Sequence, residues 1–408
     1  MTLSRRTLLA AAAAGTLPLV PARAQGAPTL KIGVLTDMSG PYKDLSGPGS
    51  VAAAHQALEE FGVTAKGMKV EILTADHQNK PDVGSTVLRQ WFDRDGVDVV
   101  VDVPNSGVAL AVAAITKEKN KVYLNCGAAT SDLTGSACNA NTIAWVYDTF
   151  MLAKSTGGAM VKTGGDSWFF ITADYAFGKA LQRDTTAFVE SAGGKVLGSV
   201  AYPFPGTTDF SSYLIQAQAS GAKVLGISNA GADTINTIKQ AKEFGITQKM
   251  RLAGLLLFLT DIHSLGLETA QGIVLTDSFY WDMNDRSRAF SQRFSPKVGG
   301  ARPTMVQAGV YSSVLHYLKA VEAMGVDKAK ADGAATIAQM KSMPADDDCF
   351  GKGTIRADGR KLHPAYLWEV KKPSESKGPW DYYKPLASTA GEQAFRAPDQ
   401  GGCVLVKA

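Results

Sequence analysis

The chain has 408 residues, of which 45% are hydrophobic and 20% are charged. At roughly 150 residues per domain, this length predicts two or three globular units, each with its own hydrophobic core. The composition excludes an intrinsically disordered chain, a collagen and a coiled coil.

The first 24 residues have the organisation of a signal peptide. Arg5 and Arg6 precede an apolar stretch at 8–20, and a small-residue cleavage site, Ala22-Arg23-Ala24, lies before Gln25. The apolar stretch is too short for a membrane span of about 20 residues. The paired arginines also fit a twin-arginine signal, so we expect export by the Sec or the Tat route to a bacterial periplasm.

Removal of this segment changes the charge of the mature chain. Residues 1–24 hold three arginines and no acidic residue, so the formal net charge falls from +4 to +1. Nucleic acids and anionic membrane surfaces are bound by clusters of basic residues. A nearly neutral chain without such a cluster argues against both as partners.

From residue 30 onward, short apolar strands alternate with amphipathic helices, which is typical of parallel α/β layers. The predicted strands form two sets, at 30–35, 69–74, 97–103 and 121–124, then at 167–171, 194–201, 223–227, 251–255 and 272–275. Helices of 3.6-residue period lie between them, for example at 83–92, 179–192 and 235–244. Two similar sets of about 120 residues each predict two doubly wound parallel-sheet domains in tandem.

After residue 275 the pattern changes to longer helices at 287–298 and 305–324, followed by strands at 353–356 and 366–370. These elements are too few for a third domain, so we expect the chain to return and complete the first two. The first predicted domain is 28–147 plus 279–361, and the second is 148–278 plus 362–372. Residues 373–408 are expected to wrap a surface as a C-terminal extension.

The four cysteines allow three full pairings in an oxidising compartment. Cys138 and Cys403 both lie in loop-like stretches flanked by glycine and alanine, and we predict a disulfide between them. The sequence contains no CxxC or HExxH spacing, and its five histidines are scattered. We therefore expect neither a metal nor another cofactor.

The loops that follow the predicted strands carry the candidate chemistry. In parallel α/β sheets, ligands bind beyond the carboxyl ends of the strands, where helix N-termini offer free N–H groups. These loops have small and hydroxyl side chains in the first set, as at 104–107 and 127–131, and aromatic ones later, as at 174–178 and 277–281. The combination suits a small organic carboxylate with an apolar or aromatic body. Singly, such residues are also typical helix caps and packing residues.

One enzyme motif is approximated. Residues 226–230 (GISNA) resemble the G-x-S-x-G nucleophile elbow, and Asp277 and then His316 or His363 follow in triad order. The last glycine is missing, and no HGGG-like oxyanion segment is present. An exported serine hydrolase is therefore kept only as an alternative, and the prediction is a protein that is not an enzyme.

Several segments, in chain order, carry a family pattern: KIGVL at 31–35 with MSGP at 38–41, GAA at 127–129 leading to DLT at 132–134, DYAFG at 174–178, DFS at 209–211 and AKEFG at 241–245. This pattern resembles that of periplasmic binding proteins of the branched-chain amino-acid (Leu/Ile/Val-binding) type, over nearly the whole mature chain. The resemblance implies the type I periplasmic binding fold, in which two α/β domains joined by three crossovers close over a ligand. It also implies the role of a soluble receptor for an ABC importer.

The resemblance assigns candidate ligand contacts. The carboxylate-binding hydroxyl loop of the family corresponds to Asn105 and Ser106, and its second loop corresponds to 127–130. Its aromatic contact in the second domain falls at Phe177, and a further contact falls at Asn229 or Ala230. The usual threonine of the second loop is replaced by alanine, with a threonine one place later.

One departure from the family bears on the ligand. The acidic residue that pairs with the ammonium group of an amino acid would lie near Leu256, where residues 254–258 (GLLLF) contain no carboxylate. A buried ammonium without a counter-ion is costly, so we favour an aromatic or other hydrophobic acid. Asp174 or Asp277 is the alternative partner of an ammonium, which keeps branched-chain and other amino acids as the second ligand class.

The predicted site combines carboxylate-binding loops, aromatic walls that enclose the ligand body, and two polar residues for selectivity. Its residues are Tyr42, Asn105, Ser106, Gly127, Ala128, Ala129, Thr130, Tyr147, Tyr175, Phe177, Asn229, Leu256, Asp277 and Trp281. Phe258 belongs to the same aromatic set. The predicted protein is a monomer whose partners are a small-molecule ligand and an ABC permease in the inner membrane. An extracytoplasmic ligand sensor of the same fold is the alternative role.

Overall fold

The structure is a computed structural model that describes residues 28–406. The predicted signal peptide, 1–24, lies outside the described residues. Two separate β-sheets flanked by helices form the two halves of the molecule, and a two-stranded ribbon accompanies the first half.

The first half is built on a parallel sheet. Its five strands are β1 (Thr29–Thr36), β2 (Lys69–Asp76), β3 (Val99–Asp102), β4 (Val122–Asn125) and β5 (Thr142–Ala144). They are ordered β2-β1-β3-β4-β5, and Ile32 of β1 lies beside Val99 of β3. Strands β3 and β4 are wholly buried because helices cover both faces of the sheet, whereas the edge strand β2 keeps exposed positions.

The second half is built on a mixed sheet. The remaining strands are β6 (Ser167–Ala173), β7 (Lys195–Tyr202), β8 (Val224–Ser228), β9 (Arg251–Gly254), β10 (Val274–Asp277), β11 (Ala345–Asp347), β12 (Gly351–Gly353), β13 (Ala365–Val370) and β14 (Tyr383–Thr389). Strands β11 and β12 form the ribbon, and the others form a seven-stranded sheet in the order β14-β13-β10-β9-β8-β6-β7. Strands β13 and β14 run antiparallel to their neighbours, and the other five strands are parallel.

Fifteen α-helices are present among the described residues. They are α1 (Gly47–Phe61), α2 (Pro81–Gln90), α3 (Ser106–Glu118), α4 (Thr149–Leu152), α5 (Gly158–Lys162), α6 (Ala176–Ser191), α7 (Ser211–Ala219), α8 (Ala232–Glu243), α9 (Leu259–Leu265), α10 (Leu267–Ala270), α11 (Asp285–Phe294), α12 (Met305–Met324), α13 (Val326–Ala331), α14 (Gly333–Ser342) and α15 (Gly391–Ala394). Caps define several of them: the Thr304 hydroxyl accepts a hydrogen bond from the Gln307 N–H and so begins α12. Between residues 28 and 406, no helix has both the length and the apolar character that crossing a membrane requires.

As far as β14, the chain passes between the two halves three times. It leaves the first sheet after β5, returns after β10 so that α12 packs on α1, and leaves again before β13. The predicted α/β fold with two sheets and three crossovers is therefore confirmed. Because these three crossovers connect the halves, we expect the halves to move about them as a hinge.

Three predicted details differ from the structure. Strand β5 was not predicted, because three residues are too few to show an alternating pattern. The strand expected at 353–356 is found at Gly351–Gly353, and Ile355 forms only an isolated bridge with Lys361. The helix expected at 83–92 ends at Gln90 and continues as a π-helical turn, Trp91–Asp95.

The C-terminal segment is not simply a surface extension. Strand β14 pairs with β13, whose edge would otherwise present unpaired N–H and C=O groups, so the second sheet includes residues as far as Thr389. The chain then returns to the first half. There Cys403 forms a disulfide with Cys138, at a Cα–Cα distance of 5.5 Å, which is the pair expected from the sequence. Cys126 and Cys349 are free and buried.

Candidate ligand-binding site

A small cavity of about 10 Å³ lies between the two halves, where loops follow the carboxyl ends of the strands. Eleven residues line it: Tyr42, Leu45, Pro104, Gly127, Ala129, Tyr147, Tyr175, Phe177, Ala230, Leu256 and Phe258. The loops after β1, β3, β4 and β5 supply the first six, and the loops after β6, β8 and β9 supply the rest. Both sheets therefore contribute a wall. Ligand pockets are usually about 300–1,000 Å³, whereas this space holds about one water molecule, so a ligand must enter while the halves are further apart.

Aromatic rings form much of the lining and also join the two halves. The Tyr42 hydroxyl, from the first half, lies 2.5 Å from the Tyr175 hydroxyl of the second. Phe204 stacks on both rings, with centroids 4.4 Å from Tyr175 and 5.5 Å from Tyr42. Deeper in the cleft, the Tyr147 ring meets the Phe258 ring edge-on at 6.1 Å. We call the group Tyr42, Tyr175 and Phe204 the aromatic latch.

Other contacts show that the cleft is closed. The Ala232 N–H donates to the Pro41 carbonyl across the cleft at 3.1 Å. Gly231 has φ +60°, and a Cβ there would collide with the same carbonyl, so only glycine allows this approach. On the opposite side of the cleft, the Asp184 carboxylate of α6 accepts hydrogen bonds from the hydroxyls of Ser131 (2.8 Å) and Thr149 (2.6 Å).

The polar groups at the cavity are neutral. None of the eleven lining residues is charged. Burial raises the pKa of Tyr42, Tyr147 and Tyr175, so their hydroxyls keep their protons at neutral pH. The Tyr147 hydroxyl donates to the Gly127 carbonyl at 2.5 Å. Within residues 28–406, the N–H groups of Ala129 and Ala230 donate no hydrogen bond, so each is free for a ligand.

Two helix N-termini add positive potential at the cavity. Helix α3 begins two residues after Pro104, and Phe177 lies in the first turn of α6. Neither first turn contains an acidic residue, and the N-cap side chain of α6 makes no capping bond. Unpaired N–H groups of a helix N-terminus attract anions. The site thus offers a weakly positive, uncharged polar end and an aromatic enclosure.

Half of the residues predicted from the sequence meet at this cavity. They are Tyr42, Gly127, Ala129, Tyr147, Tyr175, Phe177 and Leu256. Ala230 and Phe258, which were also considered, line it as well. Leu45 and Pro104 were missed. Pro104 lay in a candidate loop, but its neighbours with amide and hydroxyl side chains were chosen instead. Leu45 was missed because a single apolar residue in a loop does not indicate a ligand contact.

The predicted carboxylate-binding side chains of the first half are used elsewhere. Asn105 caps α3 by accepting from the Val108 N–H at 3.0 Å, and the Ser106 hydroxyl accepts from the Thr130 N–H at 3.2 Å. The Ala128 N–H donates to the Asn125 side chain, also at 3.0 Å. None of these residues lines the cavity, because their polar groups stabilise the loops that shape it.

The predicted selectivity residues also lie outside the lining. The Asn229 side chain is bonded to Thr234 (2.6 Å) and Thr237 (3.2 Å) within its own loop and helix. Asp277 accepts from the Phe279 N–H at 3.0 Å in the second crossover. The Trp281 indole donates to the Trp380 carbonyl at 2.8 Å and lies under the guanidinium of Arg302.

Comparison with known proteins identifies the family. The family model described as "Periplasmic binding protein" matches residues 29–378. The chain belongs to the periplasmic binding protein family. Membership implies a periplasmic substrate-binding protein of the kind that serves ABC transporters.

Three relatives illustrate the likeness. A periplasmic binding protein from Burkholderia mallei is 51% identical, with a TM-score of 0.89, over 93% of this chain and 99% of that one. A branched-chain amino acid ABC transporter periplasmic ligand-binding protein from Burkholderia xenovorans LB400 is 42% identical, with a TM-score of 0.80, over 92% and 99%. Leu/Ile/Val-binding protein homolog 4 of Brucella abortus is 24% identical over 98% of both chains.

The side chains of the hydrolase alternative are not assembled as a triad in this periplasmic binding protein. Ser228 is buried, and its hydroxyl has no hydrogen-bond partner among the described residues. His316 bonds to the backbone carbonyl of Met340. His363 bonds to the backbone carbonyls of Val146 and Pro364. No group of three or more metal-binding side chains occurs in residues 28–406.

Proposed function

We propose that this periplasmic binding protein captures a small carboxylate with an aromatic or hydrophobic body and presents it to an ABC permease in the inner membrane. The observation that carries the proposal is the cavity between the two halves, which has aromatic walls and no charged side chain in its lining. Because both walls come from one chain, we expect the protein to act as a monomer.

The polar end of the cavity supports a carboxylate. Free N–H groups of Ala129 and Ala230 and the first turn of α6 offer hydrogen bonds to an anion without requiring a cationic side chain. The lining aromatic rings, including Phe177 and Phe258, suit a flat or branched apolar body. Hydrogen bonds to a charged acceptor are about twice as strong as neutral ones, so a few N–H donors suffice.

The missing counter-ion argues against an α-amino acid. Leu256 lines the cavity where the resemblance places the acidic residue, and it is buried. The two alternative acids do not lie in the lining: Asp174 pairs with Lys179 at 2.9 Å on the surface, and Asp277 bonds to the second crossover. An ammonium group would therefore be desolvated without a partner in the lining.

Domain closure provides the capture step. The aromatic latch and the Pro41–Ala232 hydrogen bond form only when the two halves approach. A ligand that contacts both walls favours this closed form over an open one, which shifts the population toward closure.

A branched-chain amino acid is the second candidate ligand. It is favoured by the Burkholderia xenovorans relative, whose name describes a branched-chain amino acid transporter component and which is 42% identical.

A thermal-shift screen distinguishes the two ligand classes. Mature protein would be unfolded, stripped of bound ligand, refolded, and tested with benzoates, hydroxycinnamates, aliphatic acids and amino acids. At 100 times its Kd, a ligand adds about 2.7 kcal/mol to the free energy of unfolding, which raises Tm measurably. Stabilisation by aromatic or branched acids alone supports the proposal. Stabilisation by amino acids alone refutes it.

A further inference from the structure

One buried carboxyl beside the cavity has no role in the site described above. Asp102 ends β3, two residues before the cavity residue Pro104, and it is fully buried. Within residues 28–406, neither of its carboxyl oxygens has a hydrogen-bond partner. An unpaired buried carboxyl is unfavourable and therefore calls for an explanation.

The backbone holds this carboxyl in a strained position. Asp102 has φ +82° and the next residue, Val103, has φ +61°, both in the region that non-glycine residues rarely adopt. Strain of this kind persists where a structure needs a side chain in one place, and it is common at ligand sites.

Only a glycine separates the carboxyl from the cavity. A Cβ atom on Gly127 would lie 2.9 Å from Oδ1 of Asp102 and 2.6 Å from Cα of Pro104. Gly127 and Pro104 both line the cavity. The Asp102 carboxyl therefore packs against the back of the cavity wall, at a distance where its charge acts on a bound ligand.

The surroundings of Asp102 contain acids and neutral groups. The nearby titratable groups are Asp37 on the β1 side, Tyr123 on β4, Cys126 after β4, and Tyr147 in the first crossover. The hydroxyls of Thr36 and Ser50 lie close by and favour the charged form of Asp102, which lowers its pKa against the larger effect of burial. No lysine, arginine or histidine is among the groups that act on it in the described chain. Burial raises the pKa of Asp102 to about 7.

We infer that Asp102 determines which charge the cavity accepts: its carboxyl takes up one proton from the solvent when an anionic ligand binds, and it stays ionised beside a cationic group. This inference rests on the proposed function, since it makes the carboxylate ligand the cause of the proton uptake. It adds a specificity residue that lies behind the wall rather than in it.

The direction of the pH effect follows from linkage. A ligand carboxylate raises the pKa of Asp102 in the complex, so the complex binds more protons than the free protein around pH 7. Affinity for the anion then falls as pH rises through the pKa of the free protein. If the pKa of Asp102 is about 9 in the complex, Kd for the anion increases about tenfold between pH 6 and pH 8. An ammonium-bearing ligand has the opposite trend.

The test is isothermal titration calorimetry with 4-methylpentanoate and L-leucine at pH 6, 7 and 8, where both carboxylates remain ionised. In the wild type, Kd for 4-methylpentanoate is expected to weaken about tenfold over this range. In Asp102→Asn, which keeps the shape of the side chain, Kd for 4-methylpentanoate should not change with pH. Asp277→Asn is the matched control: it also removes a buried strand-end carboxyl, whose pKa burial raises to about 8, but one that does not pack behind Gly127, so the trend should persist.

A second measurement does not depend on any variant. At pH 7.5 the apparent binding enthalpy of the wild type is measured in phosphate and in Tris, whose ionisation heats differ, and the difference gives the protons taken up. Uptake supports the inference even if Asp102→Asn fails to fold.

The outcomes separate this inference from the proposed function. Tight, pH-independent binding of 4-methylpentanoate without proton uptake overturns the role of Asp102 and leaves the proposed function standing. Binding of leucine alone, with affinity that rises with pH in the wild type and is flat in Asp102→Asn, refutes the proposed function and supports Asp102 as the charge-determining group.

Discussion

Truncation of Phe177 is the perturbation whose size can best be worked from the structure. The side chain lies in the first turn of α6, lines the cavity, and is only 3% exposed in the closed form. Its ring also packs 5.9 Å from that of Tyr175 in the aromatic latch. Phe177→Ala therefore removes a ligand contact and loosens one side of the latch.

The expected loss follows from apolar burial. Fully burying a phenylalanine is worth about 1.5–3 kcal/mol, and an aromatic pair adds about 0.5–1.5 kcal/mol. Because a ligand contacts only one face of the ring, we expect Phe177→Ala to weaken binding by about 1–3 kcal/mol, which is roughly a 5- to 150-fold increase in Kd. Isothermal titration calorimetry with 3-phenylpropanoate measures this directly.

Phe244→Ala is the matched control for this experiment. Phe244 is 50% exposed at the C-terminal end of α8, outside the cavity lining, so its loss should leave Kd unchanged. If Phe177→Ala binds within twofold of the wild type, the reasoning that places this ring against the ligand is refuted.

Three further predictions concern the latch, the missing acid and the disulfide. Tyr175→Phe removes the hydroxyl contact with Tyr42 across the cleft and should weaken ligand binding by about 0.5–1.5 kcal/mol, mainly through faster dissociation in stopped-flow traces; an unchanged dissociation rate would exclude the latch. Leu256→Asp places a carboxylate in the lining and should shift the ratio of Kd values for leucine and 4-methylpentanoate toward leucine by at least about tenfold, in paired titrations; an unchanged ratio would remove Leu256 from the ammonium position. Cys403→Ser opens a crosslink between residues 265 apart and should lower the stability by about 2–4 kcal/mol in urea unfolding while ligand affinity is kept; equal stability would show that the tail is held without it.

Much of the fold could be predicted from the sequence because its strands are long apolar runs bounded by turns. Strands such as β3 and β8 are buried on both faces, so their residues show the uninterrupted apolar pattern of a parallel sheet. The tail could not be placed in the same way. Strand β14 contains Pro385 and four successive exposed positions, 385–388, which are typical of an edge strand but equally of a loop.

The predicted site overlaps the cavity mainly through its aromatic residues. Tyr42, Tyr175 and Phe177 line the cavity, although Trp281 does not. The predicted small polar residues do not line it either, because Asn105 serves as well as a helix cap as it would as a ligand contact. Which of these uses applies depends on the path of the neighbouring loop, and local sequence does not determine that path.

The burial of Asp102 behind the cavity wall could not be predicted from the sequence either. In the sequence, Asp102 is one more acid at the end of an apolar strand, where a surface position is the usual expectation. Its burial, its positive φ and its position behind Gly127 arise from the packing of β3 against β4 and their loops. Those features emerge only in three dimensions.

The most direct test of the account compares two ligands that differ only in an ammonium group. Calorimetric Kd values for 3-phenylpropanoate and L-phenylalanine would be measured on refolded wild-type protein, with 4-methylpentanoate and L-leucine as a second pair. The uncharged lining predicts that in at least one pair the acid binds and its amino acid binds at least about tenfold more weakly, since the ammonium finds no counter-ion in the lining. Tighter binding of the amino acid in both pairs would contradict the account.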